Sequence, residues 1–543
     1  MLGACCSKDL ISWTTTDTPW LDPDQVYDKC GVFTGCLVPV DLDGSKNGVL
    51  TAFYTSVSQL PIHYTRQYNY GSETLSLAIS KDSGKTWQKQ SCNPILPGPP
   101  LDLQVTGWRD PFVASWPSLD KLLENEGEDV LYGIISGGIL NKSPTTFLYS
   151  IKGNDLTSWR SLGPLFDVGI NRYLSRWSGD LGKNLEVTNF ITLDDRNGGS
   201  MEVIIIGVEG GESQNHPCFG KLPRHVETRL SRSQLWLSGS FQTPKTSTRA
   251  IQSVDMTYEF GGYLDHGSYY AANSFWDPNA RKQVVFGWVT EDDLPDDVRK
   301  QQGWSGALSL PRTIAIQTLK RVVRARASPV ESITSFQATV DNHGTFTLRT
   351  LQIKPHPQLE KLRRPDLEIA LRPRDIYSSG LFGFDQQCFL PVGTSQWEMQ
   401  CQITVGQECT RVGFCIGHSE DFVSYTKLFY DISEDNFMTD RSRVVCVDQN
   451  VSLAPEVAPF TIFSQHDPET DTTLEETLNI RAFLDSSILE VFVNDRTVIT
   501  TRIYSTAANC FGLGFFAEGD SKTRMALARM LDCQVWDGIG VRS

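Results

Sequence analysis

Apolar and β-branched residues come in short runs along most of the chain, without a helical rhythm. Residues 49–55, 130–135, 202–206 and 283–288 are rich in Val, Ile, Leu, Phe and Tyr, and each run is bounded by Gly, Asp, Asn or Pro. Such side chains suit a pleated, half-buried surface, so each run predicts a strand. The best helical stretch, 118–125, predicts one or two turns on a surface loop. Farther on, 397–403, 478–484 and 488–493 alternate as a half-buried sheet does, which reads as a β-sandwich. Asn494-Asp495 after the last of these predicts a hairpin turn, because both residue types tolerate left-handed backbone.

A repeat overlies these runs. Asp9-Leu10-Ile11-Ser12-Trp13, Asp82-Ser83-Gly84-Lys85-Thr86-Trp87 and Asp155-Leu156-Thr157-Ser158-Trp159 share one pattern, and their tryptophans lie 74 and 72 residues apart. An Asp that bonds its own turn, followed by a Trp opening the next strand, is hairpin chemistry; at a fixed period it predicts the blades of a β-propeller. Well over fifty strand-rich residues precede the second and third turns, but only eight precede the first. The first blade is therefore expected to be incomplete. The basic run 320–326 ends the period, which divides the chain into a propeller at 1–325, a linker at 326–345 and a sandwich at 346–543.

Composition narrows the partners. The 543 residues are 40% hydrophobic and 21% charged, with no apolar run near the roughly 18 residues that span a bilayer, so no membrane contact is expected. A net charge of −15 repels phosphate backbones and argues against nucleic acid. The thirteen cysteines show no CxxC or zinc-type spacing, which predicts free thiols with one or two disulfides, and neither metal nor cofactor. The N-terminus lacks the basic start and apolar stretch of a secretory signal.

The candidates for chemistry are carboxylates close to Arg and aromatic residues, the equipment of sugar hydrolysis. Arg109-Asp110-Pro111-Phe112 follows Trp108 directly; the alternative is an exposed ion pair before a strand. Glu186 lies inside the apolar run 184–189, where partial burial would raise its pKa toward that of a general acid; the alternative is an outward strand position.

Arg109-Asp110-Pro111-Phe112, Val32-Phe33-Thr34-Gly35, Leu60-Pro61-Ile62-His63-Tyr64, Gly71-Ser72-Glu73-Thr74, Gln302-Gly303-Trp304-Ser305-Gly306 and Leu310-Pro311-Arg312 together resemble glycoside hydrolase family 32. Residues 484–495 and Asp440-Arg441-Ser442 are similar to its closing sandwich, so the resemblance covers nearly the whole chain, most closely in the fungal branch of fructosyltransferases and β-fructofuranosidases. It implies an all-β fold with a five-bladed propeller and a β-sandwich, an extracellular location, and a retaining enzyme that hydrolyses or transfers fructosyl units of sucrose or fructans. It further implies Asp110 as transition-state stabiliser beside Arg109, Glu186 as general acid/base, and sugar contacts from Phe33, Thr34, His63, Glu209 and Tyr270. The family's nucleophile, an Asp in an Asn-Asp-Pro or Gly-Asp-Pro segment, stands upstream of the turn matched by residues 7–13. It is expected to be missing here and activity to be impaired, since Asp22-Pro23 follows that turn. Two other readings are a non-catalytic fructan or sucrose binder and a sialidase-type propeller, whose Asp-box residues 80–87 also fit.

Overall fold

The computed structural model describes residues 3, 5–16, 18–195, 199–211, 232–242, 253–377, 386–506, 510, 512–519 and 525–540. β1 (Cys5–Ser7) and β2 (Trp13–Thr15) form a two-stranded hairpin. A four-stranded meander follows, β3 (Gly31–Val38), β4 (Leu50–Val57), β5 (Glu73–Ser80) and β6 (Gln88–Lys89). The next has β7 (Val105–Ala114), β8 (Val130–Ile139), β9 (Ser143–Lys152) and β10 (Asp155–Pro164), with the short helix α1 (Pro117–Leu122) between its first two strands. After the small hairpin β11 (Tyr173–Ser175) and β12 (Gly179–Asp180) comes a third meander, β13 (Asn184–Asp194), β14 (Ser200–Glu209), β15 (Arg232–Gln242) and β16 (Asp255–Asp265). β17 (Tyr269–Asp277), β18 (Lys282–Val289), β19 (Ala307–Leu308), β20 (Arg312–Ala325), β21 (Gln337–Val340) and β22 (Phe346–Pro355) lie in one larger sheet, in which Phe463–Asp467 also pairs with β20. All the early strand runs fall on these elements.

The Asp turns account for the repeat. Asp9, Asp82 and Asp155 each accept a backbone N–H of their own turn, from Ser12 at 2.8 Å, Thr86 at 2.9 Å and Thr157 at 3.1 Å. The indole N–H of Trp13, Trp87 and Trp159 then donates to the carbonyl three residues back, at 3.3, 3.2 and 3.0 Å. The shared sequence pattern is thus one hydrogen-bonded device used three times. Neighbouring sheets bury aromatic side chains between them; Trp116, for example, stacks on Phe190 at 3.9 Å.

The closing half is a sandwich of a seven-stranded and a six-stranded sheet. Gln396–Val405, Leu478–Asp485 and Ile488–Val493 lie in the first, and Trp397, Phe414, Phe437 and Phe515 fill the space between the two. Asn494 and Asp495 both adopt positive φ, 46° and 57°, as the predicted turn requires. Buried ion pairs join the halves: Arg312 with Asp265 and Glu490, Arg441 with Asp293, and Arg502 with Glu291. No helix among the described residues is long and apolar enough to cross a membrane.

The cysteine reading needs correction. All twelve cysteines among the described residues are free, where one or two disulfides were expected. Burial pushes the thiols of Cys36, Cys401, Cys409 and Cys415 up to about 12, so these side chains act as small apolar groups rather than redox centres. Cys218 lies outside the described residues.

Candidate active site

The first strand of each large sheet carries a one-residue bulge at the same level. Pairing slips between Val32 and Gly35 in β3, Arg109 and Phe112 in β7, Glu186 and Asn189 in β13, and Tyr270 and Asn273 in β17. A bulge sets two residues against one and re-aims the side chains beside it. Asp110, Val187 and Ala271 occupy these bulges with φ of 61°, 47° and 52°. Left-handed backbone is unfavourable for any residue with a Cβ, and most of all for a β-branched one such as Val187, so the surrounding packing must hold it.

These bulges bring together side chains far apart in sequence. Arg109 donates from Nε and Nη2 to Glu186 Oε1 at 2.9 and 2.7 Å, from Nη1 to Glu73 Oε1 at 3.0 Å, and from Nη2 to Glu209 Oε2 at 3.3 Å. Tyr270 donates its hydroxyl to Glu186 Oε2 at 2.9 Å. Asp110 Oδ2 accepts the backbone N–H of Val187 at 3.1 Å, and the Asp110 N–H donates to Thr55 Oγ1 at 2.7 Å. Neighbouring inner strands are thereby stitched at the chemical groups themselves. Glu209 is steadied by Asn184, whose Oδ1 accepts from Thr106.

The electrostatics follow from crowding four carboxylates around one guanidinium in a buried place. Burial pushes the Asp110 carboxyl up to about 7, opposed by Arg109 and reinforced by Glu186. Burial and the Glu186 charge also raise Glu209, and the same two causes hold the Tyr270 hydroxyl well above its ordinary value. Burial works against the charge on Arg109, but Glu186, Glu73, Asp110 and Glu209 outweigh it and keep the guanidinium protonated.

Five of the eight expected site residues, Arg109, Asp110, Glu186, Glu209 and Tyr270, are therefore in one cluster. His63 is exposed on the loop before β5 and lines a small cavity with Glu73 and Arg109; burial and the nearby Arg109 lower its pKa, which favours the neutral ring. Phe33 and Thr34 are the two residues of the β3 bulge and are half-buried. Asn273 of β17 donates to the Gly35 carbonyl at 3.2 Å, which ties this bulge to the opposite inner strand. Asp22 is elsewhere, in the loop that Lys89 clamps through Asp24 and Asp28. Glu73 was missed as a site residue. Its only sequence signal is a carboxylate opening an apolar strand, yet it is fully buried and its Oε2 accepts the Trp108 N–H at 2.9 Å. Among the described residues, no cluster of His, Cys, Asp or Glu is arranged to hold a metal ion.

Comparison with known proteins agrees with this arrangement. An acid beta-fructofuranosidase of Vigna radiata is 24% identical over 521 residues, covering 93% of this chain and 69% of the relative. A beta-fructofuranosidase of Aspergillus kawachii, solved with glycerol, superposes with a TM-score of 0.83 and 26% identity over 99% of this chain and 88% of its own. A fructosyltransferase of A. japonicus gives 0.83 and 25% over 98% and 88%. Glycosyl hydrolases family 32 N-terminal domain matches residues 3–325 and Glycosyl hydrolases family 32 C terminal matches 360–537, and the chain belongs to that family of propeller-plus-sandwich glycosidases.

Proposed function

We propose that this protein acts on the β-fructofuranosyl linkage of sucrose or fructo-oligosaccharides, by hydrolysis or fructosyl transfer with retention, as a member of the fungal branch. The observation that carries this reading is the cluster in which Arg109 binds Glu186 while the next residue, Asp110, is held by the backbone beside Glu186. Glu186 serves as general acid/base, protonating the glycosidic oxygen and later taking a proton from the attacking hydroxyl or water. Tyr270 and Arg109 orient its carboxyl from opposite oxygens. Asp110, the most buried of the three candidate carboxylates, holds fructose hydroxyls in the transition state. Glu209, His63, Phe33 and Thr34 contribute sugar contacts.

We further propose five blades. β1 and β2 carry the same Asp turn and Trp as the third and fourth strands of the next two sheets, and Trp13 packs edge-on against Phe286 of β18 at 5.9 Å. They are the outer pair of a first blade whose inner pair is not represented among the described residues. The division at 1–325, 326–345 and 346–543 is supported by the span of the two matched family regions, although β22 also pairs with β20. A location on the secretory route is supported by relatives named as vacuolar and cell wall isozymes. No residue of the cluster is assigned as nucleophile, so the chain as given binds the fructosyl unit but turns it over poorly.

The test is calorimetric binding of sucrose and 1-kestose, with turnover measured in parallel. Binding that Asp110→Ala removes supports the reading. Unchanged binding in that variant overturns it, and turnover matching full-length relatives overturns the assignment of impaired chemistry.

A further inference from the structure

The largest cavity among those at the described residues is not at this cluster. It is a cleft of about 590 Å³ at the other end of the same strands, between β14 to β16, α1 and the β21–β22 hairpin. Glu202 near the start of β14 lines it, seven residues from Glu209, or roughly 23 Å along an extended strand.

Its walls are polar, rigid and balanced in charge. Glu202 is nine-tenths buried; its Oε2 accepts from Trp116 Nε1 at 2.7 Å and Thr192 Oγ1 at 2.9 Å, and its Oε1 accepts from the Ser118 hydroxyl. On the facing hairpin, Arg349 donates from Nη1 to Gln337 Oε1 at 3.3 Å and from Nη2 to the Ser200 carbonyl at 3.1 Å. Gln337 Nε2 in turn donates to Glu259 Oε2 at 3.3 Å. The Arg349 Nε is buried without a partner, a donor in the cleft wall that lacks an acceptor. Phe241 lines the cleft and is itself braced edge-on by Trp116 at 5.0 Å.

Ligand class follows from these groups. Lys121 and Arg349 are offset by Glu202 and Glu259, so a charged ligand gains little from the site. A neutral polyol gains most, since each hydroxyl both donates and accepts and can exchange with the long bonds around Gln337 or satisfy Arg349. An aromatic ring among carboxylate, amide and guanidinium groups suits a sugar, with apolar C–H edges on one side and hydroxyls on the other. The volume falls within the range of about 300–1,000 Å³ usual for ligand sites.

We propose that this cleft is a second, non-catalytic carbohydrate site that holds a fructo-oligosaccharide. It rests on the reading of the cluster around Asp110 as a fructosyl site, because a chain held at the far end of the propeller raises the local concentration of ends near that cluster.

The experiment is titration calorimetry of inulin-type oligosaccharide into the full chain carrying Glu186→Gln, which suppresses turnover. Two equivalents are expected, falling to one when Gln337→Leu is added, with cleft affinity reduced tenfold or more. Phe241→Ala repeats the measurement in case the first variant folds poorly. One equivalent that Asp110→Ala removes and Gln337→Leu leaves intact overturns the cleft and keeps the catalytic reading. One equivalent with the opposite dependence supports the cleft and overturns the catalytic reading. No binding at all overturns both.

Discussion

Two buried arginines in this molecule stand among carboxylates, and they do different work. Arg109 bridges Glu73, Glu186 and Glu209; Arg312 bridges Asp265 and Glu490 and lies over the Tyr269 ring at 4.0 Å. Each cluster also contains a carboxyl that burial pushes up, Asp110 in one and Glu490 in the other, each opposed by its arginine. Burial, ion pairing and a raised carboxyl pKa therefore do not distinguish a reactive site from a joint between domains. What differs is opening and strain. The side chain of Glu186 is 19% exposed against 2% for Glu490. Arg109 and Glu186 sit beside left-handed bulges, whereas Arg312 pairs in regular register with both β18 and β22. The joint is closed and relaxed, while the site is open on one side and held in an unfavourable backbone by its surroundings.

The comparison breaks most sharply at Arg312. Arg312→Met leaves Asp265 and Glu490 buried without their cation, and unfolding in urea should show a loss of about 3–5 kcal/mol, with sugar affinity of the folded protein unchanged. A loss below about 1 kcal/mol would mean that the joint is no stronger than a surface pair.

Asp110→Asn should act in the opposite direction on stability. The folded state raises this carboxyl from 3.8 to about 7, so it favours the protonated form. Its stabilising contribution is complete below the ordinary value and is lost as pH rises through about 7. Unfolding measured from pH 4 to pH 7 should therefore fall less steeply in the variant, and sugar binding should weaken at the same time. An identical slope in both proteins would remove the assignment of burial as the cause.

Glu73→Gln keeps an acceptor for the Trp108 N–H but withdraws a charge from Arg109. The expected loss is about 1–2 kcal/mol, together with weaker binding of sucrose, because Arg109 is no longer fixed toward Glu186. Wild-type affinity would show that Glu186 and Glu209 fix the guanidinium without it. The smallest effect belongs to Lys142–Asp167, a pair at 3.0 Å with both side chains more than half exposed. Lys142→Ala should change stability by less than about 1 kcal/mol and lose even that in high salt, which sets the floor against which the other three are read.

Much of the site was legible because its residue types stand out locally. Arg109 and Asp110 are adjacent, Glu186 interrupts an apolar run, and Tyr270 follows a Gly-containing turn. Glu73 was not legible as a site residue, because all eight positions of β5 are buried and alternation cannot show which way its carboxylate faces. The bulges were equally hidden. A bulge adds one residue to a strand without changing its composition, so the runs predict β7, β13 and β17 but not the slips within them.

By itself the sequence determined the strands, the short helix near residue 118, the three Asp turns and the Asn494-Asp495 turn. Each of these depends on neighbours within a few residues, where propensity and side-chain-to-backbone bonding decide. Only the tertiary structure decided that Arg109 meets Glu73, Glu186 and Glu209, 36, 77 and 100 residues away, and that Arg312 meets Glu490 across 178. Those meetings depend on how sheets are arranged side by side and where their pairing slips, and the strand pattern is the same whichever carboxylate is brought to the guanidinium.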